Sequence, residues 1–136
     1  MYKHDYKHTV QYYETDKMGV THHSNYIRWM EEARGDFLEK NGIGYAGMEE
    51  KGIVSPVVSI NCDYKRTTTY ADTIDIELWI KEYDGVKLTV SYDMKLDGQT
   101  VFTAESSNCF LTKEGKIVIL KKKYPESDTI LNKLKG

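Results

Sequence analysis

Residues 12–26 read YYETDKMGVTHHSNY and carry the side chains best placed to do chemistry. Asp16 stands three residues before Gly19 and nine before Asn25-Tyr26, where an amphipathic helix begins. The first turn of a helix holds N–H groups without intrahelical partners and the positive end of the macrodipole. Such amides stabilise the oxygen of a carbonyl under attack. A nearby carboxylate can attack that carbonyl itself or deprotonate a water that does. Aspartate is ionised at neutral pH, so neither role asks for an unusual proton affinity. Carboxylate, glycine turn and helix start together suit metal-free acyl transfer. A plainer reading is that Asp16 only closes an Asx turn on its own backbone, and residue types alone leave both open, the turn being the commoner.

Other constellations carry less. His22 and His23 are adjacent, and His4 and His8 are four apart on an expected strand, so neither pair has the helical spacing of metal ligands. No metal or cofactor is expected. Cys62 and Cys109 read as small buried hydrophobes in strands. There is no Gly-rich phosphate loop and no Gly-x-Ser-x-Gly elbow. Glu31 and Glu32 lie a turn or more into the helix, facing solvent or paired with Arg28 or Arg34.

The elements that must position Asp16 follow from periodicity. Tyr6 to Tyr13, rich in Tyr, Thr and Val, predicts a first strand. From Asn25, an apolar stripe of Tyr26, Met30, Ala33 and Phe37, widened by Ile27 and Leu38, predicts a helix. Ser24 or Asn25 can cap it, and Asn41-Gly42 supplies a left-handed stop after roughly 25 Å. A short helix follows over Tyr45 to Lys51. Period-two alternation then predicts strands over Ile53 to Lys65, Thr73 to Tyr83, Val86 to Leu96, Gln99 to Thr112 and Lys116 to Leu120. Asp84-Gly85 and Asp97-Gly98 mark hairpins, and Glu114-Gly115 a third turn. A terminal helix is expected over Pro125 to Leu134. One antiparallel sheet around one long helix is an α+β layout. Trp79 and Phe102 are assigned to its outer face, where a second subunit could pack.

Composition bounds the rest. The chain has 136 residues, 40% of them hydrophobic, enough for one domain with a real core. Nineteen Lys+Arg against 21 Asp+Glu leave a net charge of -2, without the basic excess of a nucleic-acid binder. No apolar run approaches the roughly 20 residues of a membrane span. No hydrophobic segment opens the chain, so no secretory leader is expected. Two cysteines make no disulfide framework and suit a cytoplasmic protein.

Taken in order, these stretches resemble the 4-hydroxybenzoyl-CoA thioesterase group of hotdog-fold thioesterases, which includes the Tol–Pal-associated acyl-CoA thioesterases. The matching residues are Asp16, Gly19 and Asn25-Tyr26, then Ile27-Arg28-Trp29-Met30-Glu31-Glu32-Ala33-Arg34. Further on are Lys51-Gly52-Ile53-Val54, Val58-Ser59, Asp63-Tyr64 and Tyr70-Ala71-Asp72, and the similarity weakens after about Leu111. The resemblance turns the reading of Asp16 toward catalysis. It implies a hotdog fold, a long helix wrapped by a curved antiparallel sheet, assembled as a dimer or dimer of dimers with sites at the interface. Asp16 would be nucleophile or general base, the His23 N–H would polarise the thioester carbonyl, and Gly19 would let the loop approach substrate. Asn25, Tyr26, Val54 and Ser59 would line the substrate, Asn25 chiefly by ordering the loop. Lys65, Arg66 and Lys87 would meet the phosphates of coenzyme A, although relatives carry more basic residues near the Asp84-Gly85 hairpin. The implied substrate is an acyl-CoA or an acyl-carrier protein. The Lys121-Lys122-Lys123 run is expected to be a solvated connection rather than a carrier-protein patch. The alternative is a hotdog module that binds such a ligand without turnover, which would have no need of Asp16; the dehydratase branch lacks its His–acid pair here.

Overall fold

The computed structural model describes residues 2–136. In chain order the elements are β1 (His4–Thr9), a 3-10 turn (Tyr12–Glu14), α1 (Ser24–Lys40), α2 (Tyr45–Glu50), β2 (Ile53–Val54) and β3 (Val57–Tyr64). Then come β4 (Thr73–Tyr83), β5 (Lys87–Leu96), β6 (Gln99–Cys109), β7 (Leu111–Thr112), α3 (Leu120–Lys123) and α4 (Pro125–Lys135). Five strands form one antiparallel sheet in the order β1-β4-β5-β6-β3, and β2 pairs with β7 in a small second sheet. This is the α+β hotdog layout expected from the sequence.

The long helix owes its place to one face. Tyr26, Trp29, Met30, Ala33 and Phe37 are all buried, against Ile74, Ile76, Leu78 and Ile80 of β4 and Leu88, Val90, Tyr92 and Met94 of β5. A helix of this length is marginal alone; each large side chain it buries contributes about 1.5–3 kcal/mol, so the sheet stabilises it. It ends as a Schellman motif: Gly42 has φ 79°, its N–H reaches Glu39 O, and the Ile43 N–H reaches Leu38 O at 3.0 Å. Both Asp-Gly hairpins form, Asp84 Oδ1 accepting from the Val86 and Lys87 amides. Leu120 donates to Gly85 O and Tyr83 Oη to Asp128 Oδ1, which docks α3 and α4 under the β4–β5 hairpin.

Seven expectations are corrected. The first strand ends at Thr9, and Tyr12–Glu14 turns instead of extending. The helix cap is His23, with no side-chain cap bond; Ser24 Oγ meets His22 Nδ1, and Asn25 sits inside the helix. Ile53 to Lys65 is two strands broken around Pro56, which cannot donate to a ladder, and Gln99 to Thr112 breaks likewise at Phe110. Lys116 to Leu120 is no strand: Ile117 makes a single bridge to Leu111 and helix begins at Leu120. Phe102 lies in the core, 0% exposed and stacked on Tyr26, because a register shift between Met94 and Lys95 turns it inward, whereas Trp79 is half-buried. Cys62 and Cys109 are free and half-buried rather than buried.

Glu14 ties the first strand to the helix. Its Oε1 lies 2.8 Å from His8 Nε2 and accepts the Gln11 N–H at 2.8 Å; its Oε2 accepts the Trp29 indole N–H at 2.8 Å. Desolvation would raise the pKa of this buried carboxyl, but the bonds from His8, Gln11 and Trp29 and the charge of His8 outweigh it and hold it lowered. A carboxylate depressed in the fold contributes stability that is present above its ordinary value of 4.5 and lost as pH falls through the lower folded value. Chemical unfolding of Glu14→Gln at neutral pH should show a loss of about 2 kcal/mol. The variant should also lose less stability than wild type between neutral and acid pH; an unchanged acid limb would contradict this account.

Candidate active site

Two short tethers fix the loop between the 3-10 turn and α1. On one side the Glu14 carbonyl accepts the His22 N–H and the Asn25 side-chain amide, each at 2.9 Å. On the other, Thr21 Oγ1 lies 2.7 Å from Thr68 Oγ1, which lies 2.9 Å from the Tyr26 hydroxyl; all three residues are buried. Between the tethers, Thr15 and Thr21 form an isolated bridge, the Asp16 N–H donates to Val20 O, and Asp16 Oδ1 accepts the Met18 N–H at 2.8 Å. The Asx turn therefore exists. It uses one carboxylate oxygen and leaves Oδ2 without a partner among the described residues. Gly19 has φ 81°, and a Cβ there would meet nothing within 4 Å, so its conformation, not crowding, calls for glycine.

Asp16 is half-buried and lines a shallow cleft of about 850 Å³ with Tyr13, Lys17, His22, Asn25 and Arg28. Tyr13, Asn25 and Arg28 also line a neighbouring cleft of about 580 Å³ over the outer side of α1, with Glu31 and Tyr45. Glu31 and Tyr45 in turn border a third of about 350 Å³ with Arg34, Val54 and Ser55. The three share walls and form one trough along α1.

His23 lines a separate cleft, its ring 4.3 Å from that of His22 in the cleft of Asp16. It shares a cleft of about 290 Å³ with Tyr26, Tyr64, Lys65 and Arg66, and its carbonyl accepts the Tyr64 hydroxyl at 2.9 Å. Its N–H has no hydrogen bond among the described residues, whereas the next amide, of Ser24, is bonded to His22 Nδ1. A free amide thus stands at the positive end of a 17-residue helix, seven residues from Asp16.

The residues expected from the sequence divide into three groups. Asp16 and Asn25 share the first cleft; His23, Tyr26, Lys65 and Arg66 share the other; Val54 borders the far end of the trough. Asn25 spends its amide on the carbonyls of Glu14 and His22, which orders the loop. Ser59 lies exposed on β3 and lines none of these clefts. Lys87 pairs with Cys109 on β6, whereas Lys65 and Arg66 bond to Val101 of the same strand; eight residues separate those points, roughly 26 Å. Glu31 and Glu32 make no ion pair with Arg28 or Arg34 among the described residues: Glu32 meets His8 Nδ1 at 3.5 Å and the Tyr6 hydroxyl at 3.3 Å. Sequence reasoning missed Glu14 and Arg34, although Arg34 falls on the apolar stripe of α1, one residue after Ala33.

The family model described as the thioesterase-like superfamily matches residues 10–134. The chain is 38% identical over 128 residues to a Bacillus subtilis (strain 168) protein bearing the name of an acyl-CoA thioesterase, with 93% of each chain covered. It is 27% identical to the 4-hydroxybenzoyl-CoA thioesterase of Pseudomonas sp. (strain CBS-3), over 79% of this chain and 82% of that one. Its fold matches a DHNA-CoA thioesterase from Staphylococcus aureus with a TM-score of 0.94 and 30% identity, covering 98% of this chain and 91% of the other.

Proposed function

The chain belongs to the thioesterase-like superfamily and is a thioester hydrolase, and on that premise we propose that it hydrolyses an acyl-CoA with Asp16 as its catalytic carboxylate. The observation that carries this is the unpaired His23 amide at the start of α1, on the same tethered loop as Asp16. The thioester carbonyl rests on that amide. Asp16 either attacks the carbonyl carbon, giving an acyl-aspartyl anhydride that water then opens, or takes a proton from the attacking water. In both routes the tetrahedral oxygen is stabilised by the helix start, the C–S bond breaks, and the products are the free acid and CoA. Coenzyme A extends into the cleft of His23, where Lys65 and Arg66 meet its phosphates. The acyl group takes the trough along α1 toward Val54.

The active assembly is a homo-oligomer built on β3. This edge strand is paired only with β6, and Val57, Val58, Ile60 and Tyr64 on it are 37–54% exposed. An unpaired apolar edge is a template for another strand. A second copy would bring its own Ser59 and Lys87 toward a site that one protomer leaves out of their reach. Cys62 and Cys109 as free thiols fit a reducing cytoplasm.

Asp16→Asn is the discriminating variant, because asparagine still accepts the Met18 amide and keeps the Asx turn. Turnover of a generic acyl-CoA should fall by about 10²–10⁴-fold with the thermal midpoint retained; full turnover would reduce Asp16 to a turn residue. Replacing Lys65 and Arg66 with Ala should raise KM for acyl-CoA about tenfold and leave an acyl-pantetheine unaffected. Equal KM changes on both thioesters would remove these cations from phosphate binding. In sedimentation, wild type should run as a dimer or larger and Ile60→Lys as a monomer; a monomeric wild type refutes the β3 assembly.

A further inference from the structure

Residues 113–123 gather positive charge that the catalytic reading leaves unused. Five lysines, at 113, 116, 121, 122 and 123, stand against Glu114 alone, a net +4 in a chain whose whole is -2. All five are exposed, and none forms an ion pair among the described residues. Among them two isoleucines face outward, Ile117 at 66% and Ile119 at 40% exposure. Backbone bonds hold them there. Val118 is buried and donates to Phe110 O at 2.8 Å; Leu120 is buried and donates to Gly85 O at 3.0 Å. With these two side chains filling the core, the alternation along the segment leaves Ile117 and Ile119 on the outside. Both line one shallow cleft of about 250 Å³ with Lys122 and Lys123.

Unpaired cations at this density repel one another and add nothing to the fold. Apolar surface rimmed by such charge marks a contact with a partner. A membrane interface rewards the combination, since aliphatic groups enter the acyl boundary while lysines meet anionic headgroups. Each lysine near such a surface strengthens binding about fivefold, so five reach about a thousandfold before the isoleucines add theirs. An acidic protein would meet the same charge, but a stable protein interface draws about 20–30 residues from each side, and this segment supplies roughly half of that.

We propose that the five lysines of residues 113–123, with Ile117 and Ile119 among them, form a docking surface for an anionic lipid bilayer. The surface adjoins the β2–β7 pair, in which Thr112 faces Ile53, the neighbour of Val54 at the end of the trough. Docking therefore sets that end of the trough beside lipid. The proposal does not depend on the role of Asp16, because vesicle binding and hydrolysis in solution are separate measurements.

The test sediments the full chain with vesicles of phosphatidylcholine alone and of phosphatidylcholine mixed with phosphatidylglycerol. Wild type should bind the mixed vesicles at least about tenfold more tightly, and raising salt from about 0.05 to 0.5 M should release it. Lys122→Glu with Lys123→Glu should lower that binding about a hundredfold, and Ile117→Ser with Ile119→Ser about tenfold, each with the thermal midpoint retained. Should the glutamate pair fail to fold, Lys122→Gln with Lys123→Gln should still lower binding about twentyfold. Equal binding to both vesicles, no binding to either, or binding that survives the lysine changes overturns the proposal. A lower sedimentation coefficient for the serine pair without lipid also overturns it, assigning the isoleucines to a contact between subunits. Retention of acyl-carrier protein by a wild type that ignores both vesicles overturns it in favour of an acidic protein partner.

Discussion

The buried carboxylate of Glu14 is the constraint on which the site depends. Its side chain binds His8 of β1, the Gln11 amide of the 3-10 turn and Trp29 of α1, and its carbonyl binds the loop at His22 and Asn25. One residue thus locks strand, turn, loop and helix to a common frame. A hydrogen bond to a charged group is worth about twice a neutral one, and removing one partner leaves the others desolvated and unpaired. The loop bearing Asp16 has few apolar contacts of its own: Met18 is 81% exposed and Tyr13 84%. Its position comes from polar anchors at both ends, and the chain of Thr21, Thr68 and Tyr26 is the second of these.

Polar anchoring has a consequence for catalysis that apolar packing would not. Preorganised donors stabilise a developing charge only if they do not move to meet it. The His23 amide is held because its neighbours are bonded: His22 N–H to Glu14, and Ser24 N–H to the His22 ring. The Asx turn at Asp16 belongs to the same scheme. It is compatible with the catalytic role proposed for Asp16, since one carboxylate oxygen fixes the side chain while the other has no partner among the described residues.

Much of this fold could be read directly from residue spacing. The stripe Tyr26, Met30, Ala33, Phe37 and the alternation through β4 and β5 carry periods that a single sequence displays. Signals failed where two periods overlap or the chain changes course. Ile117 to Leu120 is a short apolar run that suits strand or buried helix equally. Phe102 was misassigned to the outer face because a register shift reverses every side chain beyond it, and no residue type announces that shift. Asp16, Gly19 and Asn25 stood out as a local motif, but the grouping of Lys65 and Arg66 with His23 and the separation of Lys87 depend on strand pairing. Glu14 was hidden because its partners lie at residues 8, 11 and 29, and such a bond network has no sequence period.

Two buried charges of opposite sign sit on either side of α1, and the difference between them is instructive. Glu14 receives donors on both oxygens and faces a histidine; desolvation is answered in full, and the group acts as a structural clamp. Arg34 has only neutral oxygens for partners; desolvation would lower its pKa, but Tyr92 and Tyr45 outweigh it and hold it raised. Burial alone does not separate structural charges from functional ones, since both residues are more than nine-tenths buried. What separates them is whether every polar atom is satisfied within the chain. By that criterion the carboxylate at 14 is complete in the folded protomer, whereas the guanidinium at 34 has Nη2 without a partner among the described residues.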